Sequence, residues 1–73
     1  MAFIVRWIVY QHITDTIETE RVEAPSLNEV VEACRGNLDE VRLRHSDRPP
    51  NGFQVLSEDG DILRQIVDRT KPV

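Results

Sequence analysis

Cysteine is almost missing from this sequence. Cys34 is the only one among 73 residues, so no disulfide can close within the chain. Histidine occurs twice, as His12 and His45. With no cluster of thiols and imidazoles, no metal site is expected, and no cofactor motif is present. Aromatic residues make up 5% of the chain. They do not fall in the stacked arrangement that grips single-stranded nucleic acid, and there is neither a glycine-rich phosphate loop nor a basic helix. Positive charge is also short. Thirteen acidic residues against nine basic ones give a net charge of −4, the reverse of the field that a general nucleic-acid binder carries. The opening apolar run, Met1 to Tyr10, contains Arg6, is too short to span a bilayer and precedes no small-residue cleavage site. A cytoplasmic protein without a membrane anchor is expected, and a lone reduced thiol suits that compartment.

What is present is enough for one domain over residues 1–73, with 68–73 as a short tail. Domains this small usually draw extra stability from a metal, from disulfides or from a partner. With the first two not expected, a homodimer is the source of burial left open.

Residues 3–10 are β-branched and aromatic and read as a central strand covered on both faces. Residues 11–15 form a turn, and Thr16 to Ala24 a second strand, pairing as a hairpin. The apolar phase of that second strand is broken, because Ile17 is odd-numbered while Val22 and Ala24 are even. A one-residue bulge would reconcile the two; so would an edge strand wet on both faces. Ser26 and Glu29 form a capping box just after Pro25. Leu27, Val30, Val31 and Cys34 follow at the spacing of one helix face. Gly36 and Asn37 supply a left-handed stop, giving a short helix over residues 27–35. Val41 and Leu43 alternate with Arg42 and Arg44, so residues 40–45 read as a third strand. A proline loop follows, then a fourth strand from Phe53 to Leu56 and a turn at Ser57-Glu58-Asp59-Gly60. Residues 61–67 fit either a hairpin strand or a helix stripe, with the strand preferred. The expected fold is α+β: an antiparallel, curled sheet in the order β-β-α-β-β-β, with one short amphipathic helix on one face.

No nucleophile–base–orienter set emerges. His12 and Asp15 share a turn, but nothing completes a base pair or metal site beside them. Cys34 lies on the apolar helix face near its C-terminal end, where a thiolate is not favoured; this argues against a Cys34–His45 pair. The protein is expected not to be an enzyme. Two charged groupings stand out instead. Residues 14–40 hold eight acids and two bases, with Glu18, Glu20 and Glu23 on the second strand. Such a surface can bind a basic protein, imitate a phosphate backbone, or merely keep the chain soluble. Arg42, Arg44 and Arg48 form the opposite patch, suited to phosphates or a carboxylate-rich partner. Pairing of these arginines with the acidic strand is the plainer alternative.

The layout, with the strand end and helix start Glu23-Ala24-Pro25-Ser26-Leu27 and the late turn Glu58-Asp59-Gly60, resembles one type of phage-encoded anti-CRISPR protein. That type has a five-stranded curled sheet with one helix. The resemblance implies an inhibitor, working in the host cytoplasm, that binds a multi-subunit nucleic-acid-handling effector through basic and polar side chains. The expected function is therefore a non-enzymatic binding protein that inhibits or modulates a protein or nucleoprotein complex. Its contacts would be Glu18, Glu20, Glu23, Arg42, Arg44 and Arg48, and free nucleic acid is not expected to bind. A structural or accessory homo-oligomer and a small nucleic-acid module using the arginine patch are the alternatives.

Overall fold

The computed structural model describes residues 1–11 and 13–67. Four strands and one helix follow in the order β1 (Ala2–Tyr10), β2 (Thr14–Glu23), α1 (Leu27–Arg44), β3 (Gly52–Ser57) and β4 (Ile62–Val67). The strands form one open sheet in the spatial order β2-β1-β3-β4, and every neighbouring pair is antiparallel. The α+β class, the antiparallel sheet and the single helix agree with the sequence pattern. Residues 61–67 also take the preferred strand form, as β4.

The expected third strand over residues 40–45 does not form. The helix instead passes through Gly36 and Asn37 and continues to Arg44. Gly36 is not left-handed; among the described residues Gly60 alone is a glycine with positive φ. The stripe begun by Leu27, Val30, Val31 and Cys34 is carried on by Leu38 and Val41, which pack against the same core. This is a period of 3.6. Leu43, which suggested a period of two, is 79% exposed. The sheet therefore has four strands, one fewer than the order on which the anti-CRISPR resemblance was drawn.

The helix starts where the capping signal placed it. Ser26 is extended (φ −153°) and its hydroxyl accepts from the Glu29 amide at 3.3 Å. That bond satisfies one of the orphan donors of the first turn. The helix lies on the side of the sheet to which Phe3, Val5 and Trp7 of β1 and Phe53 and Val55 of β3 point. The Trp7 and Phe53 rings pack tilted, 5.6 Å apart.

The bulge expected of β2 is present, and the strand lies at an edge but is not wet on both faces, since Val22 packs against the core. Trp7 faces Glu18 and Ile8 faces Thr16, so Ile17 is the extra residue. At the far edge, Val55 faces Arg64 and Leu56 faces Ile62, which makes Leu63 the extra residue of β4. Between α1 and β3, Asn51 stands in for a strand residue. Its side chain accepts from the Tyr10 amide and donates to the Tyr10 carbonyl, both at 2.8 Å. Pro50 beside it is fully buried. Gly52 is fixed by close approach: a Cβ there would collide with the Ile66 carbonyl and lie 2.9 Å from the Val67 Cα. At the tip of the last hairpin, Gly60 takes φ 98°, which only glycine adopts cheaply, and its amide donates to the Ser57 carbonyl at 3.0 Å.

Candidate functional site

The register of β2 decides where its acids go. Asp15, Glu18 and Glu20 face Val9, Trp7 and Val5, so their side chains lie on the helix side of the sheet. The same side receives the end of α1 and the loop after it. Arg44 Nη2 donates to both Glu18 oxygens, at 3.0 and 3.3 Å. His45 Nε2 lies 2.7 Å from Glu18 Oε1 and is the donor, because an ionised carboxylate can only accept. Arg48 pairs with Asp15. The indole N–H of Trp7 donates to Glu20 at 3.4 Å. The result is a polar seam that fastens edge strand β2 to the last turn of the helix.

Glu18 is held below its ordinary value of 4.5. The hydrogen bond from His45 does most of this, partial burial opposes it, and Arg44 adds a hydrogen bond and its charge. Cys34 shifts the other way, pushed up to about 11, first by burial and then by the nearby Glu20 charge. A thiol so placed is a core residue and not a nucleophile at neutral pH. His45 is engaged by Glu18, so the structure gives no support to a Cys34–His45 pair. The His12 part of the His12–Asp15 grouping lies outside the described residues.

The two opposite-signed surfaces read from the sequence are thus largely one. Glu18 and Arg44 meet directly, Arg48 meets Asp15, and Glu20 meets an indole. Glu23 lies 3.0 Å from Arg21, which also reaches Glu58 in the β3–β4 turn at 3.1 Å. Arg42 and Arg44 do not share a strand face. They sit two apart on the last helical turn, where cations offset the exposed carbonyl ends, and Arg42 has no ion pair among the described residues. The pairing of arginines with the acidic strand is what the structure contains, made from a helix end and a loop. Asp15 and His45 complete the seam. Carrying the helical period past Gly36 would have put Val41 and His45 on the sheet-facing side.

A shallow hollow of about 300 Å3 opens at the β1–β2 hairpin, lined by Val9, Gln11, Ile13 and Asp15. Among the described residues that line it, the one carboxylate is Asp15, already paired with Arg48, so these residues offer apolar contact and no acid–base pair. Among the described residues, no group of three or more His, Cys, Asp or Glu side chains could hold a metal ion, and no helix is long and apolar enough to cross a membrane. Large exposed apolar side chains are spread over the surface: Met1, Leu43, Ile13 in the hollow, and Ile62 (56%) and Leu63 (42%), which are adjacent on edge strand β4. Comparison with protein-family models, curated proteins and solved structures found no match.

Proposed function

We propose that this chain is a non-enzymatic binding protein that inhibits or modulates a larger protein or nucleoprotein complex, and that β4 is its contact edge. The observation that supports this is the state of that edge. Among the described residues no strand pairs with its outer side, and Ile62 and Leu63 are left in solvent. A sheet edge offers a row of backbone donors and acceptors, and strand addition to it gives affinity through the backbone and selectivity through alternate side chains. The charged residues first considered as contacts serve the seam instead, apart from Glu23 and Arg42 at its margins. With Arg44 and Arg48 engaged by carboxylates, a nucleic-acid module using the arginine patch is the weaker reading. A CRISPR effector belongs to the proposed target class on the strength of the two short motifs alone.

The test is affinity capture from a bacterial host lysate with three forms of the protein: unaltered, Ile62→Lys/Leu63→Lys, and Glu23→Lys/Arg42→Glu. A partner held by the first and third forms and lost by the second supports the β4 edge. Loss with the third form alone would return the contact to the charged margin. The homo-oligomer reading draws on the same edge, and sedimentation of the unaltered protein separates it: a stable dimer lost on Ile62→Lys/Leu63→Lys would replace the hetero-partner.

A further inference from the structure

On the helix side of the sheet, the rows of side chains end differently at the two edges. One row runs Glu18, Trp7, Phe53, Ile66, and the next runs Glu20, Val5, Val55, Arg64. The β2 ends are acidic, whereas Arg64 is the one charged residue of β4. Helix α1 packs over β3 and β1, between these ends.

The last helical turn serves both flanks. Arg44 and His45 reach Glu18 at the β2 end of the first row. Successive helical residues turn by about 100°. Arg42, two before Arg44, therefore projects from the opposite flank, toward the Ile66 end of that row, and is half-buried. Leu38, one turn earlier on the same flank, and Ile66 are half-buried against the core. Two arginines thus stand over the same margin of the sheet.

Arg6, Arg42 and Arg64 have no ion pair among the described residues. Arg6 lies between Val5 and Trp7 of the core-facing set and so points to the other face, which leaves Arg42 and Arg64 together beside the open β4 edge. The acids near them are spent or displaced. Glu32 pairs with Arg35. Asp39 is exposed and makes no ion pair with Arg42, and Asp59 and Asp61 stand in the turn before Ile62. At the other edge Asp15, Glu18 and Glu20 each meet a donor from the chain itself.

We infer that β4 receives an extended protein segment with carboxylates at alternate positions, which sets its acids against Arg64 and Arg42. The inference rests on the β4 reading above and names the chemistry of the partner. Alternate residues of an added strand fall on one side of the sheet, so acids two apart share the side of both arginines. The residues between them are apolar and fall on the side of Ile62, which faces away from the helix opposite Leu56 and is 56% exposed. A guanidinium takes a carboxylate through two parallel hydrogen bonds. A second copy adding its own β4 across a two-fold axis would instead bring like charges together, and the acids of its β2 are already engaged. A nucleic-acid backbone calls for more cations than two in a chain of net charge −4.

The experiment is an amide-shift titration of the full chain by NMR with three blocked heptapeptides that alternate valine with glutamate, glutamine or lysine. The glutamate peptide should move the amides of β4. It should bind about tenfold more tightly than the glutamine peptide, since each exposed ion pair contributes roughly threefold. Arg64→Gln and Arg42→Gln should each remove about threefold of that preference. Arg42→Glu/Arg64→Glu should turn the preference to the lysine peptide; if that variant does not fold, Arg64→Gln, at an exposed site, decides. In the capture experiment the Glu23→Lys/Arg42→Glu form keeps the β4 edge and Arg64, and should hold the partner at reduced affinity. Equal shifts of β4 amides by all three peptides would overturn the inference and leave the β4 edge standing. Failure of every peptide to move β4 amides would overturn it together with that edge. Tighter binding of a duplex DNA oligomer than of the glutamate peptide at physiological salt, lost in Arg64→Gln, would overturn it in favour of phosphate. A dimer of the unaltered protein that Arg64→Glu dissociates would overturn it in favour of a second copy.

Discussion

The two edges of the sheet are built to opposite rules. β2 has ten residues, five of them charged: Asp15, Glu18, Glu20, Arg21 and Glu23. Its helix-side acids are tied to Arg44, His45, Arg48 and Trp7, and Arg21 ties its other face to Glu58. Charge, a bulge and cross-element ties are the usual devices that keep an edge from pairing with another chain. β4 has six residues and one charge, Arg64, with Ile62 and Leu63 exposed. It shares the bulge but has little else to deter a partner. The difference teaches where the molecule is closed and where it is open. The charged side, which draws the eye in the sequence, is closed by its own helix.

Four substitutions break or sharpen this contrast. Gly52→Ala should have the largest effect, because the added methyl meets the backbone of β4 at Ile66 and Val67. A loss of about 2–3 kcal/mol in chemical denaturation is expected, with hydrogen exchange faster in β4 than in β2. An unchanged midpoint would mean that β4 is not held at this distance.

Glu18→Gln should loosen the opposite edge by about 1 kcal/mol near neutral pH, a small figure because the pairs are partly solvent-screened. The pH dependence gives a second readout. A carboxyl whose folded pKa is lowered contributes stability that is present above its ordinary 4.5 and is lost as pH falls through the folded value. The acid limb of the unaltered protein should therefore be steeper below about pH 4.5 than that of Glu18→Gln. Coincident limbs would show that the seam adds nothing to stability.

Gly36→Ala acts on the element that closes β2. A Cβ at this position meets nothing within 4 Å, and the backbone is helical. A gain of about 0.5–1 kcal/mol is expected, whereas a left-handed helix stop at Gly36 would make the same change destabilising. Leu63→Lys should change stability least, within about 0.5 kcal/mol, since the side chain is already in solvent. A drop of more than 1 kcal/mol would show that the β4 edge is packed in solution.

The sequence by itself determined the elements whose signals are local. The β-branched run of β1, the Ser26 cap and the Asp59-Gly60 turn each act over a few residues. The broken phase of β2 left a bulge or a strand wet on both faces open, and only the register with β1 decided for the bulge at Ile17. Residues 36–45 were different. Gly36-Asn37 is a plausible stop, and Val41 and Leu43 satisfy a period of two as well as Leu38 and Val41 satisfy a helical one. Local propensity separates these by only about 1 kcal/mol. Burial of Leu38 and Val41 against Phe53 and Val55 outweighs it, and that burial exists only once the sheet is assembled. The same tertiary step turned Arg44 and Arg48 from a free patch into partners of Glu18 and Asp15. It also aligned Thr19, Arg6, Gln54 and Gln65, four residues from four separate strands. Charge can be counted along a chain, but which charges neutralise one another depends on distances that only packing supplies.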